Sequence, residues 1–218
     1  IEAYADLGIE IHQVYGLTES CGPACLIDAE NALKRIGSTG KAFFHTDIAI
    51  VRPDGSPCAS EEAGEVLVRG EHIMREYWNR PEATAETIVD GWLHTGDVAR
   101  MDSEGFVYIQ DRIKDMIISG GENVYPAEIE NLLQTHDDIS EAAIIGQPSQ
   151  TWGESPFAII VRTNEELTQT DVLEFCTGKL AGFKMPKGVV FVDEIPRNPS
   201  GKILKRVLRD QFPGPAEV

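Results

Sequence analysis

The segment Asp111–Glu130 reads DRIKDMIISGGENVYPAEIE and determines how the rest of the chain is divided. Its first half mixes apolar strand residues with charges that a buried strand would not carry without partners. The triplet Ser119-Gly120-Gly121 lets the backbone turn or approach a ligand closely, and Pro126 with glutamates behind it is typical of a helix start. We therefore predict a strand end, a charged joint at residues 112–115, a glycine turn and a helix.

The segments on either side of this joint predict an α+β protein. From Gly40 to Asp111, short strands and turns favour a small antiparallel barrel or sheet, with a brief helix from Pro81 to Val89 that Asp90-Gly91 ends. Residues 116–218 mix helices and strands in a compact α+β domain with a frayed tail from Pro213. The helices predicted in this domain run from Pro126 to about Gln134, from Thr170 to about Ala181 and from Ile203 to about Phe212.

Composition excludes some classes of protein and favours others. The chain has 218 residues and is 42% hydrophobic, which is enough for one large domain or two small ones. No apolar run approaches the roughly 18 residues of a membrane span and no basic-then-apolar leader opens the chain, so we expect a cytoplasmic protein. The net charge of -17 argues against a nucleic-acid partner. A basic stretch from Lys179 to Arg209 suits a polyanionic small molecule such as a nucleotide or coenzyme A.

The cysteines show neither paired zinc spacing nor the density of a disulfide scaffold. We predict that they are reduced. Cys21 and Cys25 lie near an aromatic and glycine-containing motif, but a thiol nucleophile would need a positioned base, so a structural role is favoured.

Four short motifs carry the functional prediction. They are, in chain order, YGLTES (Tyr15–Ser20), GWLHTGDVAR (Gly91–Arg100), the joint, and NPSGKILK (Asn198–Lys205). Together they resemble the carboxylate-adenylating superfamily of AMP-binding enzymes, which includes acyl-CoA synthetases, carrier-loading adenylation domains and beetle luciferases. The resemblance covers nearly the whole chain from Gln13 onward, and DMIISGGENVYPAEIE is most similar to fatty-acyl-CoA ligases of the medium- to long-chain type.

The resemblance implies a domain organisation. Residues 1–111 would be the C-terminal part of a large AMP-binding domain, residues 112–115 a hinge, and residues 116–218 a mobile C-terminal domain. The first residue is Ile1 and no Ser/Thr/Gly-rich phosphate loop is found, so we expect the chain to be the C-terminal part of a larger enzyme and to be inactive or nearly so by itself.

The nucleotide residues that the resemblance implies are Tyr15, Gly16, Thr18, Asp97 and Arg112. Tyr15 would stack near the adenine, Gly16 would allow a close backbone approach, and Thr18 would contact the α-phosphate. Asp97, which follows a predicted Thr-Gly turn, and Arg112 would bind the ribose hydroxyls, although an aspartate there could simply cap its own turn. Glu19 would hold Mg²⁺ through a hard carboxylate oxygen. Trp92 and His94 are expected to be packing and turn residues.

A second group of residues belongs to the hinge and to the domain after it. Lys202 resembles the lysine that bridges the acyl carboxylate and the phosphate oxygens during adenylation, although alone it would be an ordinary solvent-facing lysine. Lys114 matches the hinge position, and Gly121 matches a glycine that leaves room for the pantetheine arm of coenzyme A. The residues that would flank the coenzyme A nucleotide are Trp152, Phe183 and Lys184.

The predicted function is that of an ATP-dependent fatty-acid-CoA ligase. A carboxylic acid and MgATP would give acyl-AMP and pyrophosphate, and coenzyme A would then give acyl-CoA and AMP. Two alternatives stay open at this point. One is an aryl-CoA ligase or a carrier-protein-loading adenylation domain, and the other is a nucleotide- or CoA-binding module without catalysis.

Overall fold

The computed structural model describes residues 1–214 of the protein. The chain forms two compact units, Ile1–Ile113 and Lys114–Val218, and the division falls inside the range predicted as the joint. The predicted frayed tail falls mostly on residues 215–218, which lie outside the described residues. None of the helices in the described part combines the length and the apolar character needed to cross a lipid bilayer.

The first unit consists of short helices and antiparallel strands. Its helices are α1 (Glu2–Ala5), α2 (Ala29–Lys34) and α3 (Pro81–Thr87). Its strands are β1 (Val14–Leu17), β2 (Gly22–Leu26), β3 (Lys41–Ala42), β4 (Asp47–Val51), β5 (Gly64–Arg69), β6 (Ile88–Val89), β7 (Trp92–Met101) and β8 (Val107–Arg112). A small sheet has the order β1-β2-β3, and a larger one has the order β4-β5-β7-β6 with β8 paired to β7. The predicted antiparallel architecture is confirmed.

One apolar core joins the two sheets of the first unit. Ala24 and Cys25 of β2 pack with Val66 and Val68 of β5 and with Leu93 of β7. Burial of these side chains stabilises the unit because apolar surface removed from water contributes about 25 cal/mol per Å². The shared core also brings β1, which carries the first motif, against the strand that carries the second.

The end of α3 differs from the prediction. The helix ends at Thr87, and Ile88-Val89 forms β6, which pairs with Trp92-Leu93 of β7. Asp90 and Gly91 both have positive φ, at 50° and 79°, which is typical of a two-residue hairpin turn. The Asp90-Gly91 pair is therefore a hairpin turn between β-branched and aromatic strand residues, and not a helix terminator.

The Thr95-Gly96 pair also differs from the prediction, because it lies inside β7 and not in a turn between elements. Pairing of β7 with β5 passes from His94 opposite Leu67 directly to Val98 opposite Glu65, so the intervening residues bulge out of the ladder. Gly96 has a φ of 68°, which favours glycine. The bulge places Asp97 in the strand itself.

The second unit is an α+β layer structure. A 3₁₀ turn, Ile113–Asp115, contains the chain division between Ile113 and Lys114. Its strands are β9 (Ile117–Ser119), β10 (Glu122–Val124), β11 (Ile139–Ser149), β12 (Gly153–Arg162) and β13 (Gly188–Phe191), and its helices are α4 (Pro126–Leu133), α5 (Gln169–Cys176) and α6 (Lys205–Gln211). The sheet order is β10-β9-β12-β11, with β13 parallel to β12.

Alternate residues of β11 explain why helices cover both faces of this sheet. Ala142 and Ile144 pack into a core with α4 and α5, whereas Ala143 and Ile145 pack into a separate core with Leu208 of α6. Successive strand residues point to opposite faces, so a continuous apolar run buries both. This arrangement fixes α6, which follows the last sequence motif, on one face of the sheet.

Three element boundaries of the second unit differ from the prediction. The glycine turn Gly120-Gly121 is a hairpin turn, because Ser119 pairs with Glu122, and β10 separates it from α4. Helix α5 ends at Cys176, since Gly178 has a φ of 77°. Helix α6 begins at Lys205 because Ile203 is held in an isolated bridge to Arg197.

Candidate functional site

A cavity of about 270 Å³ in the first unit collects residues from three of the sequence motifs. Its lining includes Glu19 from the first motif, Thr95 and Gly96 from the second, and Arg112 from the joint. Tyr77, which belongs to none of the motifs, lines it too. The motifs that the sequence places far apart therefore meet at one concave surface.

Asp97 is the centre of a hydrogen-bonded group next to this cavity. Its Oδ2 atom accepts a hydrogen bond from the Tyr15 hydroxyl at 2.7 Å, and its Oδ1 atom accepts one from Arg112 Nε at 2.8 Å. Asp97 and Arg112 are directly opposite each other in the β7–β8 ladder, which sets the second contact. The carboxylate is only 7% exposed, and its partners fix its orientation before any ligand binds.

Tyr15, a member of the shared core, contacts Asp97 through its hydroxyl. Burial raises the pKa of its phenol, and the adjacent Asp97 carboxylate raises it further, so the hydroxyl stays protonated and donates. With 8% of its surface exposed, the side chain contributes mainly by positioning Asp97. Stacking of this ring near an adenine stays a prediction.

Gly16 and Thr18 have different environments within the first motif. A Cβ atom on Gly16 would lie 2.4 Å from the carbonyl oxygen of Gly22, so the strand pairing of β1 with β2 already requires glycine there. Thr18 begins a 3₁₀ turn, Thr18–Ser20, and is exposed. A phosphate contact from the Thr18 hydroxyl stays a prediction. At position 16, the strand pairing explains the glycine without a ligand.

Glu19 is held from two sides by a segment that the sequence analysis did not single out. Its Oε1 atom accepts a hydrogen bond from the Tyr77 hydroxyl at 2.8 Å, and its carbonyl oxygen accepts one from Met74 N at 2.8 Å. Burial and the Glu19 carboxylate raise the pKa of the Tyr77 phenol, so this phenol is a donor. Among the described residues no group of three or more metal-ligating side chains is present, so a metal ion here would depend on Glu19 and on substrate oxygens.

Glu65 is a second residue that the sequence analysis missed. Its Oε1 atom accepts a hydrogen bond from Gly96 N at 3.1 Å, and its Oε2 atom lies 2.9 Å from His94 Nδ1. It thereby holds the bulge of β7 that carries Asp97. Glu65 lies in no local motif. The sequence indicates only that it belongs to a strand of the predicted antiparallel sheet.

In the second unit, Lys202 lies on a tightly braced turn. Asn198 Oδ1 accepts hydrogen bonds from Ser200 N at 3.0 Å and from Lys202 N at 2.8 Å, and Arg197 Nη1 donates to Gly201 O at 2.7 Å. The Lys202 side chain is exposed, and within the described part of this unit its ammonium has no hydrogen-bond or ion-pair partner. The turn therefore presents an available cation.

The neighbouring Lys205 has the opposite environment. Its Nζ atom pairs with Glu130 Oε1 at 2.8 Å, and the two side chains are 12% and 15% exposed. The same Glu130 oxygen accepts a hydrogen bond from Ile144 N at 2.8 Å. Lys205 thus links the start of α6 to α4, and its charge is already balanced.

The predicted hinge residue Lys114 is exposed, whereas Asp115 after it is buried and anchored. Arg209 Nη2 of α6 donates to Asp115 Oδ1 at 2.9 Å and lies 3.5 Å from the Lys114 carbonyl oxygen. Asp115 is 9% exposed. Position 115 is therefore fixed to the second unit, which limits a change of backbone dihedrals to Lys114 or to residues before it.

The residues predicted to bind coenzyme A are only partly brought together. Trp152 and Lys187 line a cavity of about 470 Å³ in the second unit, whereas Phe183 packs against the core there. Lys184 forms an ion pair with Glu128, with Nζ–Oε distances of 2.8 and 2.6 Å. Because this pair already balances the charge of Lys184, the structure favours Lys187, which the sequence analysis did not select, as the cation next to Trp152.

The glycines of the β9–β10 turn are not equivalent. Gly120 N donates to Trp152 O at 2.8 Å, and a Cβ atom on Gly120 would lie 2.8 Å from the Trp152 ring. Gly121 has open space where a Cβ would project, but its φ of 87° also favours glycine. A substitution at Gly121 would therefore combine backbone strain with any effect on a ligand.

The cysteines are free, as predicted, and differ in accessibility. Cys21 is exposed, whereas burial raises the pKa of Cys25 to about 12. We expect a thiol reagent at pH 8 to modify Cys21 first and Cys25 only on unfolding, because the thiolate is the reactive form. Mass spectrometry of a time course checks this order, with urea-unfolded protein as the control. Early modification of Cys25 in folded protein would contradict it.

Comparison with known proteins shows which proteins this chain resembles. Residues 1–78 match the family model described as AMP-binding enzyme, and residues 128–202 match the one described as AMP-binding enzyme C-terminal domain. A long-chain-fatty-acid–CoA ligase of Mycobacterium tuberculosis is 49% identical over 212 residues, which are 97% of this chain and 42% of the relative. A 2-succinylbenzoate–CoA ligase of Bacillus cytotoxicus is 44% identical over 96% of this chain and 43% of its own length. The chain therefore spans about two-fifths of these relatives.

Solved structures agree with the sequence comparison. The o-succinylbenzoate CoA synthetase of Bacillus subtilis, in complex with its acyl-adenylate intermediate, matches with a TM-score of 0.91 at 38% identity over 96% of this chain and 43% of that one. The same enzyme has been solved with ATP and a magnesium ion, and that structure matches with a TM-score of 0.90 at 38% identity over the same shares.

Proposed function

The chain belongs to the AMP-binding enzymes, and from this premise we propose that it is the C-terminal part of an acyl-CoA synthetase that activates a carboxylic acid with MgATP. In the first step a carboxylate oxygen attacks the α-phosphorus and pyrophosphate leaves. In the second step the thiolate of coenzyme A attacks the acyl carbonyl and AMP leaves. The observation that carries the proposal is the Asp97 carboxylate, held by Tyr15 and Arg112 next to the cavity that Glu19 lines.

Each residue of this group has a chemical task in the proposed reaction. The Asp97 oxygens retain lone pairs that can accept hydrogen bonds from vicinal ribose hydroxyls, while Arg112 and Tyr15 keep the carboxylate oriented. A Glu19 oxygen would hold Mg²⁺, which would act as a Lewis acid and reduce the negative charge on the phosphate groups. Lys202 would supply the second cation at the point where two anions must approach each other.

The residues for the second step lie after the joint. The exposed ring of Trp152 offers a stacking face, and Lys187 offers a cation for phosphate in the same cavity. A ligand there would use an ammonium that is outside an ion pair. Lys187, whose Nζ atom lies 3.5 Å from the Gly182 carbonyl oxygen, therefore replaces Lys184 in our proposal. Gly121 would leave the approach to the turn open for the pantetheine arm.

The acid substrate has two candidates with equal support. The relative at 49% identity acts on long-chain fatty acids, and the relative at 44% identity acts on the aryl acid 2-succinylbenzoate. We propose a fatty acid first because the sequence of the joint favours it, and an aryl acid second.

A substrate panel tests this function in the full-length enzyme. ATP–pyrophosphate exchange is measured with fatty acids of several chain lengths, with 2-succinylbenzoate and with other aryl acids, and thioester formation is measured with coenzyme A and with a phosphopantetheinylated carrier protein. We expect exchange with one class of acid and transfer to free coenzyme A. Transfer to the carrier alone would identify a carrier-loading enzyme, and nucleotide binding without exchange for any acid would identify a non-catalytic module.

A further inference from the structure

The contact between Tyr77 and Glu19 is not predicted by any of the sequence motifs. Its hydroxyl lies 2.8 Å from Glu19 Oε1 although the two residues are 58 positions apart in the chain. Met74, three residues earlier, donates its backbone N–H to the carbonyl oxygen of the same Glu19 at 2.8 Å. One short segment therefore contacts both the main chain and the side chain of the proposed metal ligand.

The main chain of Tyr77 is held by the start of α3. Tyr77 N donates to Thr84 Oγ1 at 2.9 Å, and that hydroxyl donates to Arg80 O at 2.8 Å. Arg80 N in turn donates to Tyr77 O at 3.0 Å, which closes a turn ahead of Pro81. The phenol therefore extends to Glu19 from a braced backbone position.

The contact gives the two oxygens of the Glu19 carboxylate different environments. Oε1 accepts a hydrogen bond from the phenol, whereas Oε2 has no hydrogen-bond or ion-pair partner within the first unit, all of which the structure describes. Mg²⁺ requires near-octahedral geometry and usually takes one or two carboxylate ligands together with phosphates and waters. A carboxylate fixed through one oxygen is suited to ligation by the other, and residues that orient a metal ligand in this way typically contribute 10- to 100-fold to metal affinity or activity.

We propose that Tyr77 is a positioning residue that orients Glu19 so that a single oxygen, Oε2, is available to the metal ion of MgATP. This inference deepens the proposed function and rests on it. Tyr77 touches neither substrate nor metal in this proposal, and it acts only through Glu19. The expected consequence is a specific change in metal requirement and not a general loss of catalysis.

The test compares three variants of the full-length enzyme. Tyr77→Phe removes the hydroxyl and keeps the ring, Glu19→Gln removes the proposed ligand, and Tyr108→Phe removes a phenolic hydroxyl that interacts with Arg35 away from the cavity. Metal requirement is measured in two ways: by Mg²⁺ titration of ATP–pyrophosphate exchange at saturating ATP and acid, and by electron paramagnetic resonance of Mn²⁺ binding in the presence of ATP without acid. Thermal melting verifies that each variant is folded.

We expect Tyr77→Phe to raise the half-saturating metal concentration by about 10-fold in both measurements. Its rate at saturating metal should stay within about 3-fold of the parent, because the hydroxyl acts only through the ligand. Tyr108→Phe should match the parent. A metal titration of Tyr77→Phe that coincides with that of Tyr108→Phe would overturn the inference, and so would a lower rate with an unchanged metal requirement.

The Glu19→Gln variant separates failure of this inference from failure of the proposed function. If Glu19→Gln shifts the metal requirement and Tyr77→Phe does not, the metal ligand stands and the role of Tyr77 is wrong. If neither variant shifts it while the parent enzyme depends on Mg²⁺, Glu19 is not the ligand and the inference fails with it. If the parent shows no acid-dependent exchange at all, the proposed function itself is wrong.

Discussion

Replacement of Lys202 by alanine is expected to reduce acid-dependent ATP–pyrophosphate exchange in the full-length enzyme by at least about 10²- to 10³-fold. In the proposed first step, a carboxylate anion must approach a phosphorus surrounded by negative oxygens. A fixed cation at that point stabilises the transition state more than it stabilises the separated reactants. Lys202 suits this task because its ammonium is exposed, has no partner within the described part of its unit, and extends from a braced turn.

Two other lysines of the same unit provide matched controls. Lys179→Ala removes an exposed ammonium outside the NPSGK motif and should leave exchange unchanged. Lys205→Ala removes the largely buried ion-pair partner of Glu130, whose side chain is 15% exposed, and should lower the free energy of unfolding by on the order of 3 kcal/mol, with a matching fall in melting temperature. Lys202→Ala should show the reverse pattern, with parent-like melting and lost exchange. Exchange at the parent rate in Lys202→Ala would remove this lysine from the chemistry.

The contrast between Lys202 and Lys205 also shows where sequence reasoning stops. Both lysines belong to one basic stretch, and nothing in their local sequence separates an available cation from a paired one. The difference depends on Glu130, which lies in α4 and is brought to Lys205 by the packing of the unit. The same limit applies to Lys184, whose charge Glu128 balances although the two residues are 56 positions apart.

The alternation of apolar and polar residues and the turn residues predicted which elements form. They did not predict the irregularity inside strand β7. The antiparallel strands of the first unit and the α+β character of the second follow from period-two patterns, apolar runs and glycine-containing turns. Thr95-Gly96 was misassigned because a glycine with positive φ gives the same local signal in a turn and in a bulge. Pairing with β5 decides between them, and that pairing is not local information.

The sequence predicted which residues belong to the candidate site, but it did not predict the contacts between them. The motifs nominate Tyr15, Asp97 and Arg112, whereas the cross-strand register and the shared core determine that all three meet at one carboxylate. Tyr77 and Glu65 carry no motif, because each acts on a motif residue through a contact that only the folded chain creates. Residues that position other residues are therefore the part of the site that sequence reasoning misses.

Replacement of Lys114 by proline is expected to separate the two half-reactions. Proline fixes its own φ near −65° and restricts the residue before it, so large dihedral changes at residues 113 and 114 become unfavourable. We propose that the predicted hinge lets the second unit rotate between the two steps. Because Arg209 fixes Asp115 to that unit, this rotation has no replacement site after Lys114. Acyl-AMP formation should stay within a few fold of the parent, while thioester release should fall by about 100-fold or more.

The measurement for this variant follows both steps in one preparation. Pyrophosphate exchange reports adenylation, and transfer of preformed acyl-AMP to coenzyme A reports the second step. Lys114→Ala is the control, because alanine removes the ammonium but keeps both dihedrals free, and it should lose neither step. Since proline also retains the carbonyl oxygen that lies 3.5 Å from Arg209, local damage at that contact should be small. An equal loss of both steps in Lys114→Pro would contradict a hinge, because a dihedral restriction that acts only on rotation cannot impair a step completed before the rotation occurs.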